Sequence, residues 1–162
     1  MLDRINSIRQ LIIHIEDGIM ALLLGAMILL AGGQILLRNL FDSGLIWADP
    51  TLRLLVLWIT MLGAIAASRE HRHIRIDLFS RFLSDLLNKI ILSITDLFTA
   101  IVCSLIAWHA GRFVYLEWQD GNLLFGSLPA WVGEIIMPIG FGILTLRFLS
   151  NIPLRFVIQD KT

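Results

Sequence analysis

Apolar residues in this chain fall into four long runs separated by short polar stretches. The first, Gly18–Leu37, carries no charge, and Gln34 is its one strongly polar side chain. At about 1.5 Å of rise per residue, a run of this length crosses a hydrocarbon core of about 30 Å. Upstream, Ile5, Ile8, Ile12, Ile15 and Ile19 recur at helical spacing, with Arg4, Arg9 and Glu16 elsewhere around the helix. That pattern fits an amphipathic lead-in at the membrane surface, or the wet end of the first span. A cleaved signal peptide is the competing reading. Against it, the run is too long for an h-region, and Glu16 and Asp17 stand where a basic n-region belongs.

The second run opens on Asp49-Pro50, a helix start signal: Asp49 accepts from free N–H groups, and Pro50 has no donor to leave unsatisfied. The expected span is 51–67, apolar apart from Arg53 and Thr60, and it stops at Ser68-Arg69-Glu70-His71-Arg72-His73. Next, Phe79, Phe82, Leu83, Leu86, Leu87 and Ile90 repeat every three or four residues, which predicts an interfacial amphipathic helix over about 77–88. The third span is expected at about 90–110 and the fourth at about 130–149, with an outer loop between them from Phe113 to Pro129. Pro138 lies inside the fourth, where neighbouring helices can re-satisfy the freed carbonyl. The predicted fold is therefore one all-α integral membrane domain of four transmembrane helices over residues 1–162.

Composition agrees. The chain is 57% hydrophobic and 16% charged, against about 45–50% and about 25% in ordinary soluble domains. A single cysteine, Cys103, excludes an intrachain disulfide or a C-x-x-C pair, and no basic-aromatic patch points to nucleic acid. Charge matters through its placement. Arg4, Arg9, Arg69, Arg72, Arg75, Arg81, Lys89, Arg147, Arg155 and Lys161 fall on the side of both termini, and only Arg38, Arg53 and Arg112 on the other. The positive-inside rule then predicts that both termini are cytoplasmic. Trp47, Trp108, Trp118 and Trp131 mark the opposite ends of the helices.

Two carboxylates lie within the spans. Asp96 belongs to a stripe of small or polar residues (Ser93, Ala100, Cys103 or Ser104, Ala107, Gly111) of the kind that lets helices approach closely. The expectation is a structural carboxylate satisfied by Arg147 or water. Glu134 is expected to pair with Arg53 or Arg112. Ala21/Gly25 and Gly63/Ala67 are small-xxx-small pairs that allow the first two spans to pack on each other or on a partner, and Gly140 and Gly142 give the fourth the same licence. The four histidines form no matched pair at one depth, as axial haem ligation requires. Neither catalytic nor metal-binding spacing is present, and no polar pathway crosses the bilayer, so no enzymatic activity and no cofactor is expected.

Particular motifs carry a resemblance. R-N-x-F at Arg38–Phe41, W-A-D at Trp47–Asp49, R-L-L-V-L-W at Arg53–Trp58, L-G-A at Leu62–Ala64, R-E-H-R-H-I-R-I-D at Arg69–Asp77, L-P-A-W at Leu128–Trp131 and P-I-G-F at Pro138–Phe141 stand in this order. Together they resemble the small membrane subunit (DctQ-like) of tripartite ATP-independent periplasmic (TRAP) transporters, from about Arg38 to Phe148, with a departure at Pro50. The resemblance implies a bacterial inner-membrane protein paired one to one with a large elevator-type permease subunit. That large subunit would move organic acids with sodium ions, receiving them from a periplasmic substrate-binding protein. The small subunit would be a non-catalytic scaffold. Trp47, Asp49, Arg53 and Trp58 would then contact the large subunit or fix a helix end. Arg69, His73, Arg75 and Asp77 would anchor the cytoplasmic loop against phospholipids. Two other readings stay open: a haem or quinone anchor of an oxidoreductase, and a stand-alone oligomeric transporter or channel.

Overall fold

The computed structural model describes residues 2–74, 85–124 and 128–157. Helix α1 (Leu2–Phe41) and helix α2 (Ala48–Ile74) come first, followed by helix α3 (Asp85–Asp120). A two-strand hairpin, β1 (Leu123–Leu124) and β2 (Leu128–Pro129), leads into α4 (Ala130–Glu134) and α5 (Ile136–Val157). Four segments are long and apolar enough to cross a membrane: Ile13–Phe41, Ala48–Ser68, Leu87–Asp120 and Ala130–Pro153. The all-α architecture read from the apolar runs is the one observed.

The helices run further than the apolar runs. The amphipathic lead-in is continuous with the first span as one helix of 40 residues. Helix α3 continues through the expected loop start at Phe113 to Asp120, where Gly121 takes a positive φ of 63° and turns the chain. Asp42, with φ 46°, does the same after α1. Both are the left-handed conformation that ends many helices. Helix α2 begins at Ala48, so Asp49 sits in its first turn rather than at the cap. Of the expected interfacial helix, residues 77–84 lie outside the described residues, and Asp85–Asn88 form the start of α3.

Packing runs pairwise: α1 lies on α2, α2 on α5, and α5 on α3. By their largest contacts the helices thus form a row in the order α1, α2, α5, α3, bent enough for Arg147 of α5 to reach Glu16 of α1. Its buried centre is Ile65 of α2, Cys103 of α3 and Leu144 of α5, with Phe141 and Phe148 packed against it. The small-residue stripe of α3 faces α5 as its composition requires: Asp96, Ala100 and Cys103 are buried, and a Cβ on Gly111 would meet the Pro138 Cβ at 4.0 Å. The other small residues divide differently. A Cβ on Gly25, Gly63 or Gly142 would meet nothing within 4 Å, so these do not seat one helix of this chain on another. The tight approach is between α2 and the fourth span. There, a Cβ on Gly133 would lie 2.7 and 2.8 Å from the two Leu54 δ-carbons, and one on Gly140 would strike the Met61 Cε.

Candidate functional site

The contacts that hold the row together build upward from its Trp47 end. Gln34, 7% exposed, uses both atoms of its amide on one residue. Its Nε2–H donates to the Leu45 carbonyl at 3.3 Å, and its Oε1 accepts from the Leu45 N–H at 3.1 Å. The only strongly polar side chain of the first span therefore pins the α1–α2 loop. Within α2, Thr51 Oγ1 donates to the Trp47 carbonyl at 2.7 Å, closing the first turn.

The next layer is the break in the fourth span. Regular helix stops at Ile135, between α4 and α5, three residues before Pro138. Pro138 cannot donate to the carbonyl of Glu134, and its ring crowds that carbonyl. Beside the break, the carbonyl of Gly133 accepts the indole N–H of Trp58 at 2.8 Å. Trp58 and Leu54 therefore grip the broken turn from α2, one by a hydrogen bond and one by close packing against a residue with no side chain. The tryptophan thus bonds the carbonyl one residue before the one that Pro138 frees.

At the other end, Arg147 of α5 reaches two helices at once. Its Nη1–H donates to the Ile65 carbonyl and to Ser68 Oγ, the latter at 2.9 Å, and its Nη2 lies 3.9 Å from Glu16 Oε1 of α1. Asp96 is buried, 2% exposed, on the α5-facing side of α3. Glu134 forms no ion pair with Arg53 or Arg112 among the described residues: its Oε2 is buried without a hydrogen-bond partner, and both arginines are exposed. Arg53 lies on a different face of α2 from Leu54 and Trp58, which removes it from reach. Trp47 and Asp49 are exposed. Arg69 and His73 lie in the last turns of α2, while Arg75 and Asp77 fall outside the described residues. No group of three His, Cys, Asp or Glu that could hold a metal occurs among the described residues.

The arrangement consists of three polar fasteners and one glycine-lined contact joining long apolar rods. The family model of the DctQ component of tripartite ATP-independent periplasmic transporters matches residues 27–156, from mid-α1 to the end of α5. The chain belongs to the DctQ family. It is 24% identical over 173 residues to the C4-dicarboxylate TRAP transporter small permease protein DctQ of Vibrio cholerae, covering 90% of this chain and 72% of that protein. It is also 32% identical over 127 residues to the sialic acid TRAP transporter permease protein SiaT of Haemophilus influenzae. That match takes in 76% of this chain and only 20% of SiaT. As a DctQ-family protein, the chain is a small permease subunit of a TRAP transporter. Gln34, Trp58, Gly133 and Arg147 all lie within the matched region, whereas Glu16, the α1 partner of Arg147, precedes it. Sequence reasoning passes over Gln34 and Gly133 as site residues. Gln34 is signalled by being the lone polar group in its run, whereas Gly133 gives no local signal.

Proposed function

We propose that this DctQ-family chain is a non-catalytic scaffold for a large TRAP permease subunit, which moves organic acids with sodium ions after a periplasmic binding protein delivers them. One observation carries the reading: a region similar to this chain takes up one fifth of a longer TRAP permease, SiaT. A segment that exists both as a separate protein and within a larger permease is one that works against the rest of that permease. The architecture supports a static part. Gln34, Trp58 and Arg147 fasten helices and a loop together, and among the described residues the break within a span, at Ile135, is gripped by Trp58 rather than lined by the convergent polar groups that mark a substrate site. The ten-to-three distribution of basic residues supports cytoplasmic termini. In this reading the segment around 77–88 lies in the cytoplasmic interface, with Arg69, His73, Arg75 and Asp77 near lipid headgroups. Trp47, Asp49 and Arg53 are exposed for contact with the larger subunit, and Asp96 and Glu134 are structural.

The test is co-expression with the large TRAP permease subunit of the same organism. The two chains should co-purify in equal amounts, and uptake into proteoliposomes should require both. Solute flux through vesicles holding this chain alone, or failure of the chains to associate, would overturn the reading.

A further inference from the structure

The four apolar runs do not sit at one height along the row of helices. The contacts fix their relative heights. Glu16, Ser68 and Arg147 meet at a single height, the Arg147 level. On α3 the matching height is near Ala100, because Cys103 packs with Leu144, Gly111 with Pro138, and Ile90, Ser93, Ile94 and Leu97 line a cavity with Ile152. Measured from the Arg147 level toward the Trp47 end at about 1.5 Å per residue, Gly18–Leu37 of α1 covers about 3 to 31 Å. On α3, the stretch Ile90–Gly111, whose one charge-bearing group Asp96 is buried, covers about −15 to 16 Å. The midpoints of the apolar stretches 18–37, 51–67, 130–149 and 90–111 fall at about 17, 14, 11 and 1 Å. They descend in the order in which the helices are packed, most steeply at α3.

Of the tryptophans, Trp47 beside α1 and α2 stands about 31 Å from the Arg147 level, Trp131 at the start of the fourth span about 24 Å, and Trp108 of α3 about 12 Å, on the same slope, while Trp118 of α3 stands about 27 Å up, beyond the exposed Arg112. At the opposite boundary, Glu16 and Asp17 of α1 lie within about 2 Å of the Arg147 level, whereas Lys89 of α3 lies about 16 Å below it, away from the Trp47 end. In an upright row, the exposed Arg112 of α3 would be level with the exposed Ile28 at the middle of α1's charge-free run.

We propose that the row stands obliquely in the bilayer, tilted within its own plane by about 30°, the angle set by a shift of about 16 Å across about three interhelical spacings of 8–10 Å. This lies inside the range of tilts, about 0–40°, seen for membrane helices. The tilt places the Arg112–Asp120 end of α3 outside the hydrocarbon, with Tyr115 and Trp118 in ring contact at 5.9 Å. It places the part of α1 before Asp17 outside on the opposite face. The inference rests on the four helices lying in a bilayer and is independent of the scaffold role.

Spin labels at paired heights test it. In a Cys103→Ala background, single cysteines replace Gln10 and Ile94, both about 9 Å below the Arg147 level, and Ile28 and Phe113, both about 18–20 Å above it toward the Trp47 end. All four positions are exposed on the helices. The full chain is reconstituted in phosphatidylethanolamine–phosphatidylglycerol vesicles, and collision with oxygen and with a water-soluble nickel chelate is measured by power saturation. Ile94→Cys and Ile28→Cys should favour oxygen several-fold, while Gln10→Cys and Phe113→Cys favour nickel. Equal depths within either pair, with circular dichroism unchanged, would refute the tilt. A tilt with lost transport assembly would refute only the scaffold reading.

Discussion

Gly133→Ala isolates the contact between α2 and the broken fourth span. The added methyl group would lie 2.7 and 2.8 Å from the two δ-carbons of Leu54 and 3.3 Å from its γ-carbon. Because both branches of Leu54 face the site, rotation about one torsion exchanges one clash for the other, and the helices must move apart. Overpacking of this kind costs about 1–3 kcal/mol. Separation also stretches the 2.8 Å bond from Trp58 to the Gly133 carbonyl, worth about 0.5–1.5 kcal/mol. Against these stands the gain of about 1 kcal/mol when alanine replaces glycine in a helix. The balance is a loss of about 1–3 kcal/mol. Buried Cys103 is the sole cysteine, so a thiol-reactive dye reports unfolding directly as detergent-solubilised protein is heated. Gly133→Ala should unfold at a lower temperature than wild type. Adding Leu54→Ala should recover part of the loss, because the new methyl then occupies vacated space. Wild-type stability in Gly133→Ala, or a double variant worse than the sum of the singles, would refute the close-packed interface.

Further substitutions separate the fasteners. Gly140→Ala should cost less than Gly133→Ala, because the atom it strikes is the terminal methyl of Met61, which can swing aside; the same dye assay compares them. Trp58→Phe keeps most of the ring but leaves the Gly133 carbonyl without its donor, and should lower stability by about 1 kcal/mol. Gln34→Leu strips two partners from Leu45, so hydrogen exchange at the Leu45 amide should rise while exchange in α5 stays unchanged. Glu134→Gln removes a carboxylate that has no cationic partner among the described residues, and its unfolding temperature should equal or exceed that of wild type.

Much of the architecture is readable because a bilayer demands long apolar runs, and these can be counted directly along the chain. The stripe from Asp96 to Gly111 likewise announces which face of α3 packs. What escapes is non-local. Trp58 and Gly133 stand 75 positions apart, and no periodicity couples an indole to a carbonyl at that distance. Depth alone matches Glu134 with Arg53, but depth says nothing about which face a side chain occupies, and the two occupy different ones. Helix ends are displaced outward because hydropathy marks where lipid begins, whereas hydrogen bonding continues the helix until Asp42 or Gly121 reverses the backbone.

Helix α1 rests chiefly on one neighbour and is riveted near two points, Gln34 close to the loop and Glu16 beside Arg147. Between those rivets, Leu22, Ile28 and Leu29 turn outward, with Leu29 77% exposed. A stave held in this manner meets acyl chains along most of its girth, and a thinner or thicker leaflet presses on it between its two rivets. The seating of α1 is therefore set partly by the surrounding lipid.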